Sequence, residues 1–186
     1  MDSAPETRTS DWVSSALEQF EQRLLRYARR IVGEEDEARD VVQETFLRLC
    51  REDPATLNGR LAQWLYTVCR NRAVDIRRQR TQQRAVGGDD PLDGAFRISR
   101  EPAPSEPAAR GDALTVIRRE LARLTENQQE CIRLKFDDEL SYSEISAITG
   151  LSSSNVGFLI HTGLKAVRER LRRSQRDEFP DRPPSA

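Results

Sequence analysis

The chain has 186 residues, of which 37% are apolar, 33% charged and only 6% aromatic, and its net charge is −1. That balance fits one ordinary domain or two small ones with thin helical cores, and it argues against a large enzyme. No stretch reaches the roughly 18 consecutive apolar residues of a membrane span. Residues 1–10 lack the basic and then apolar regions of a signal peptide, so a cytoplasmic location is expected.

The chemistry-bearing residues are sparse. Cys50, Cys69 and Cys131 lie far apart, no CxxC occurs, and His161 is the sole histidine. A zinc site needs clustered ligands, so buried thiols in a reducing compartment are the expectation. Neither a Gly-rich phosphate loop nor a GxSxG elbow is present. The single histidine leaves little material for acid–base chemistry, although carboxylates alone could serve; the expectation is a non-enzyme with no catalytic residue, no metal, no cofactor and no small-molecule substrate.

Along the chain, residues 1–14 are expected to be disordered. Leu17, Phe20, Leu24, Ala28 and Ile31 then recur at i, i+3, i+7, i+11 and i+14 and predict a helix that ends at Gly33. A second helix, about 35–51, turns Val42, Phe46 and Leu49 inward and is closed by Asp53-Pro54. A third, about 60–80, carries Leu61, Leu65, Val68 and Ile76 on one side. At about 100° per residue, Thr67, Arg70, Asn71, Val74 and Arg78 fall on the other. Residues 81–111 read as a flexible linker, with Gly87-Gly88 and prolines at 91, 102, 104 and 107. The island around Phe96 and Ile98 has no assigned role.

Beyond the linker, Leu114, Ile117, Leu121 and Leu124 form another helical stripe. Thr125-Glu126-Asn127-Gln128 is a capping box opening a helix with Cys131, Ile132 and Phe136 inward. A second box, Ser141-Tyr142-Ser143-Glu144, opens a short helix with Ile145 and Ile148 buried. Gly150-Leu151-Ser152-Ser153 is a tight turn into a last helix, about 153–172, before a tail (175–186) expected to be disordered. The fold class is thus all-α. Two small helical domains, 15–80 and 112–174, are joined by the linker, and the second is a helix-turn-helix, the arrangement that places its last helix in the DNA major groove.

On that last helix Val156, Ile160, Gly163, Val167 and Leu171 form the buried seam, and mid-helix Gly163 points to close helix approach. Opposite lie Ser154, Phe158, His161, Thr162 and Lys165, with Asn155 alongside. Phe158 either meets a thymine methyl, while Asn155, His161 and Lys165 reach base edges or phosphates, or it packs on the preceding helix. Charge is segregated: 70–84 holds six arginines against Asp75, 165–176 six cations against Glu169, and 34–44 six acids against Arg39. Two contacts with a polyanion and one with a basic partner would explain this, as would solvated faces.

Four motifs carry a resemblance. Asp40-Val41-Val42-Gln43-Glu44-Thr45-Phe46 is followed by Trp64-Leu65-Tyr66 and by Asn71-Arg72-Ala73-Val74-Asp75 into Arg77-Arg78. Leu124-Thr125-Glu126-Asn127-Gln128 then continues into Leu140-Ser141-Tyr142-Ser143-Glu144-Ile145. In this order the chain resembles bacterial RNA polymerase sigma factors of the extracytoplasmic-function (ECF) group over about 15–80 and 112–173. The resemblance implies that Asp40, Gln43 and Glu44, with Phe46 and Leu47, grip the β′ coiled coil of the RNA polymerase core. It implies that the helix at 60–80 melts and holds the promoter minus-ten element. Asn71 would line a pocket for an extruded base, Arg70, Arg77 and Arg78 would hold phosphates, and Thr67 and Val74 would share that face. Trp64 is a wedge or a core anchor.

The resemblance further implies that Ser154, Asn155, Phe158, His161, Thr162 and Lys165 read the minus-thirty-five element. Many relatives carry arginines and a serine where this chain has Gly157, Phe158 and Leu159, so promoter sequence does not carry over. Trp64-Leu65, in place of the tandem aromatics of housekeeping sigma factors, fits the ECF group. An anti-sigma factor is a common partner in the family, and no residue here identifies one. The alternative is a helix-turn-helix regulator acting without polymerase, which leaves Asp40, Gln43, Glu44 and the 71–78 run unexplained.

Overall fold

The computed structural model describes the backbone of residues 5–57, 59–86 and 111–178. The island around Phe96 and Ile98 and most of the linker lie outside the described residues, as do residues 1–4 and 179–186. Every regular element among the described residues is helical: α1 (Pro5–Val32), α2 (Glu35–Leu49), α3 (Pro54–Leu57), α4 (Leu61–Val86), α5 (Gly111–Leu121), α6 (Glu126–Phe136), α7 (Tyr142–Thr149) and α8 (Ser153–Glu178). They form two compact units. The first is built on α1, α2 and α4; in the second α8 packs on α5 and α6, with α7 leading into the turn before α8.

Three helix ends differ from expectation. α1 begins at Pro5 rather than near residue 15, because a proline costs nothing at a first helical position, where its missing N–H has no partner to lose. α4 continues to Val86 and α8 to Glu178, since no glycine or proline interrupts the chain before Gly87 and Pro180 respectively. Segments 5–14, 81–86 and 175–178 are therefore helical.

In the first unit Phe20, Leu24, Tyr27, Ala28 and Ile31 of α1 pack against Val41, Val42, Phe46 and Leu49 of α2 and Leu65, Tyr66, Cys69 and Ala73 of α4, all buried. Burying each large aliphatic side chain contributes about 1.5–3 kcal/mol. Tyr27 and Tyr66 meet edge-to-face at 5.2 Å, which adds about 0.5–1.5 kcal/mol beyond their area. Leu17 is not part of this core; Ala16 takes the inward place and Leu17 is exposed. Gly33, at φ 89°, ends α1 and donates its N–H to the Arg29 carbonyl at 2.8 Å. Thr45 is fully buried and satisfied, its hydroxyl donating to the Val41 carbonyl at 2.8 Å. Burial raises the Cys69 thiol to about 12, against a lowering contribution from Thr45. All three cysteines are free; Cys69 and Cys131 are buried as expected, whereas Cys50, capping the end of α2, is exposed.

In the second unit both capping boxes form. Gln128 N–H donates to Thr125 Oγ1 and Thr125 N–H to Gln128 Oε1; Ser141 N–H donates to Glu144 Oε2 at 2.7 Å and Glu144 N–H to Ser141 Oγ at 3.3 Å. Gly150 takes φ 76° in the turn, Ser146 Oγ donates to the Leu151 carbonyl at 2.6 Å, and Ser152 Oγ accepts from Asn155 N–H at 3.2 Å to start α8. Gly163 confirms the close approach: a Cβ there would stand 2.8 Å from Ile132 Cδ1 and 3.3 Å from Leu124 Cδ1. Phe136 is the exception among the inward residues of α6. It occupies the last helical position and is 58% exposed, while Leu134 is buried instead.

Candidate nucleic-acid and protein interfaces

α2 has two faces beside its core stripe. Asp36, Asp40, Gln43 and Leu47, at i, i+4, i+7 and i+11, are all exposed, Leu47 at 57%. They make an acidic row ending in an unpartnered apolar side chain, suited to a basic surface with an apolar spot. Glu37 and Glu44 lie round the helix, toward α4. Phe46, expected in the protein-binding set, is only 6% exposed and belongs to the core, because one residue before Leu47 points about 100° away from it.

Glu37 and Glu44 meet α4 in antiparallel register. Glu37 Oε2 is 2.9 Å from Arg80 Nη1, and Glu44 Oε2 is 2.6 Å from Arg72 Nε. Arg80 also donates to the Val32 carbonyl at 3.0 Å, covering the orphan acceptor at the end of α1. Glu44 Oε1 accepts from Arg48 at 2.6 Å. Partial burial pushes the Glu44 carboxyl up, but the hydrogen bond from Arg48 and the charges of Arg72 and Arg48 outweigh it and hold the group below its ordinary value. Part of the acidic segment and part of the first basic segment therefore neutralise each other.

The outer face of α4 carries the expected nucleic-acid set. Asn71 and Arg78, two turns apart, are exposed; Trp64, Thr67, Arg70, Val74 and Arg77 are half-buried. The Thr67 hydroxyl donates to the Gln63 carbonyl at 2.7 Å, so its proton is committed to the helix. Together these residues form a ridge with an exposed amide and flanking cations, matched to a negatively charged strand with unstacked bases.

On α8, Ser154, Asn155, Phe158, His161 and Lys165 are exposed on one face, Phe158 at 64%. Phe158 is therefore a surface residue, not packed on the preceding helix. Thr162 stands apart from this group: its hydroxyl donates to the Phe158 carbonyl at 2.8 Å and accepts from Gln128 Nε2 at 3.1 Å, tying α8 to α6. Gly157 leaves room for Tyr142, whose ring would lie 3.4 Å from a Cβ at that position. Arg168, Arg172 and Arg173 continue the helix with exposed cations, whereas Arg170 donates to the Glu120 carbonyl at 3.4 Å near the end of α5. An apolar centre ringed by donors and followed by cations is the composition of a major-groove reading face.

The roles of Arg72, Arg80 and Arg170 were not read from the sequence. The available signal was spacing: acids seven apart on α2 oppose arginines eight apart on α4. Among the described residues no group of three His, Cys, Asp or Glu side chains is placed to hold a metal ion, and no helix is long and apolar enough to cross a membrane.

Both units have counterparts among known proteins. Residues 16–83 match the family described as Sigma-70 region 2, and residues 114–167 match Sigma-70, region 4. The chain is 32% identical over 148 residues to the ECF RNA polymerase sigma factor SigL of Mycobacterium tuberculosis, covering 78% of this chain and 80% of the relative. It is 26% identical over 168 residues to the ECF RNA polymerase sigma factor SigW of Bacillus subtilis, covering 87% and 90%. The fold resembles that of the sigma factor RpoE solved in complex with the anti-sigma factor NepR from Bartonella quintana, with a TM-score of 0.61 at 23% identity, over 86% of this chain and 96% of that one.

Proposed function

The chain belongs to the ECF RNA polymerase sigma factors, and from that premise we propose how its two units divide the work. The protein binds RNA polymerase core and directs promoter-specific initiation of transcription. Asp40, Gln43, Glu44 and Leu47 on α2 form the contact with the β′ coiled coil. Asn71, with Trp64, Thr67, Arg70, Val74, Arg77 and Arg78 around it, receives the minus-ten element. Extruding a base costs a few kcal/mol of stacking, which edge hydrogen bonds to the Asn71 amide and contacts with the neighbouring cations recover. Ser154, Asn155, Phe158, His161 and Lys165 read the minus-thirty-five element, with Thr162 buttressing the helix from behind. The protein acts by binding alone, with no chemistry of its own, in the cytoplasm beside polymerase and chromosome. An anti-sigma factor, as seen with the fold neighbour, is a further partner.

The observation that carries this reading is the match of both units, in order, to regions 2 and 4 of one family. A regulator acting without polymerase is not favoured, because the likeness to ECF factors spans both units and not the helix-turn-helix alone. Purified chain added to core polymerase should convert it from non-specific to promoter-specific run-off synthesis. An unchanged transcript pattern, with no association by size-exclusion chromatography, would contradict it.

A further inference from the structure

Glu44 is asked to serve two surfaces. The reading above puts it on the polymerase-facing helix, yet its carboxylate is already occupied. Oε1 accepts a hydrogen bond from Arg48 at 2.6 Å, and Oε2 stands 2.6 Å from Arg72 Nε in an ion pair whose N–H is not aligned for a hydrogen bond. Arg48 lies one turn along the same helix and stays with Glu44 wherever α2 goes. Arg72 reaches across from α4, one residue after the exposed Asn71. A carboxylate that already binds two guanidinium groups has little charge left for a third, so a cation arriving from a partner displaces one of them. The non-local partner, Arg72, is the one to leave.

The exchange is energetically cheap. Glu44 and Arg72 are each 35% exposed and Arg48 50%, and ion pairs with this much solvent contribute little to stability. Nor does the α2–α4 seam depend on the Arg72 rung. Glu37 and Arg80 remain paired at 2.9 Å, and Val41, Thr45, Leu65 and Cys69 are fully buried in the same core. Arg72 with its Nε released presents its full set of donors beside Asn71, and guanidinium is well matched to a phosphate.

Resting on the sigma-factor reading, we infer that Arg72 is a phosphate contact held in reserve. In the free chain Glu44 sequesters it. When core polymerase presents a basic side chain to α2, that cation takes the place of Arg72 on Glu44, and Arg72 swings to the nucleic-acid strand at Asn71. The device makes part of the affinity for the opened strand conditional on polymerase.

The test uses the full-length chain without polymerase and a fluorescein-labelled single-stranded oligonucleotide of random sequence, since a phosphate contact needs no particular bases. Anisotropy titrations at several salt concentrations compare wild type, Glu44→Gln and Glu44→Gln/Arg72→Gln, with helicity checked by circular dichroism. Glu44→Gln should bind severalfold more tightly, with a salt slope steeper by about 0.7, the value of one added single-strand phosphate contact. The double variant should lose the gain. Wild-type affinity and slope in Glu44→Gln would overturn the inference, and so would a gain that persists in the double variant, which would reflect only the removed negative charge. Binding of wild type to core polymerase is measured alongside. Failure there sinks the proposed function, whereas normal core binding with no Glu44→Gln effect sinks only the reserve role of Arg72.

Discussion

Both units end in a long basic helix, and both spend one arginine of that helix on the same task. Arg80 of α4 donates to the carbonyl of Val32 at the end of α1, and Arg170 of α8 donates to the carbonyl of Glu120 near the end of α5. What remains after that shared cap differs. On α4 a second arginine, Arg72, is also drawn inward by an acid of α2, and the nucleic-acid face is a half-buried ridge with Asn71 and Arg78 exposed. On α8 the reading face stands clear of the unit, with Phe158, Asn155, His161 and Lys165 exposed. One face is wired to α2, the helix proposed to meet polymerase, and the other is presented independently of its own core. That contrast fits the two tasks, one coupled to holding an opened strand and the other a straightforward reading of intact duplex.

The contrast can be broken or sharpened by mutation. The largest effect is expected for Asp40→Ala/Gln43→Ala/Leu47→Ala, which removes the exposed row of α2. Core affinity, measured by fluorescence competition, should fall at least about a hundredfold, the scale of losing a few central contacts at about 1–2 kcal/mol each. Helical content should be unchanged; unaltered affinity would remove this surface from the account.

Gly163→Val comes next. The added methyls enter space only 2.8 Å from Ile132 Cδ1, so overpacking should destabilise the second unit by about 1–3 kcal/mol in urea unfolding followed by circular dichroism, with core binding through α2 retained. A more stable protein would show that α6 and α8 can move apart freely.

The shared cap separates the units quantitatively. Arg80→Gln breaks a 3.0 Å hydrogen bond and a 2.9 Å ion pair, whereas Arg170→Gln breaks one bond of 3.4 Å. The first should cost about 1–2 kcal/mol and the second about 0.5 kcal/mol. Equal costs would mean that Glu37 contributes nothing to the first cap.

The smallest effect on stability belongs to Phe158→Ala, within about 0.5 kcal/mol of wild type because the side chain is already exposed. Its effect should appear instead in promoter choice. Loss of an apolar contact to a thymine methyl should shift preference at one position of the upstream element by about fivefold, near 1 kcal/mol. Unfolding of the variant would contradict the exposed position of the ring.

Much of this was legible in the sequence. Period-3.6 stripes located the helices, two S/T-x-x-E/Q boxes placed the starts of α6 and α7, and Gly33 and Gly150 marked stops through backbone conformations that other residues resist. Gly163 signalled close packing because a mid-helix glycine is costly without a reason. What failed was reading charge as surface. Arg72, Arg80 and Arg170 look like polyanion contacts in a basic run, but their partners, Glu44, Glu37 and two orphan carbonyls, are set by how helices pack and are invisible along one chain. Phe46 and Phe136 failed in opposite senses. Phe46 lay in a motif assigned to the surface but faces the core, while Phe136 followed the apolar period but fell at the last residue of its helix. Helix ends at Pro5, Val86 and Glu178 were missed because the apolar stripes stop short of them and the glycines and prolines beyond residues 86 and 179 were taken to act earlier than they do; a polar segment lacking helix breakers can still propagate a helix begun elsewhere.

The most direct test of the central claim is run-off transcription with core polymerase on a promoter library that varies both elements and the spacing between them. The account predicts transcripts only when core and this chain are both present, from promoters sharing two sequence elements at one preferred separation. Transcription indifferent to that spacing, or tight binding of the chain alone to an operator as a dimer, would contradict it.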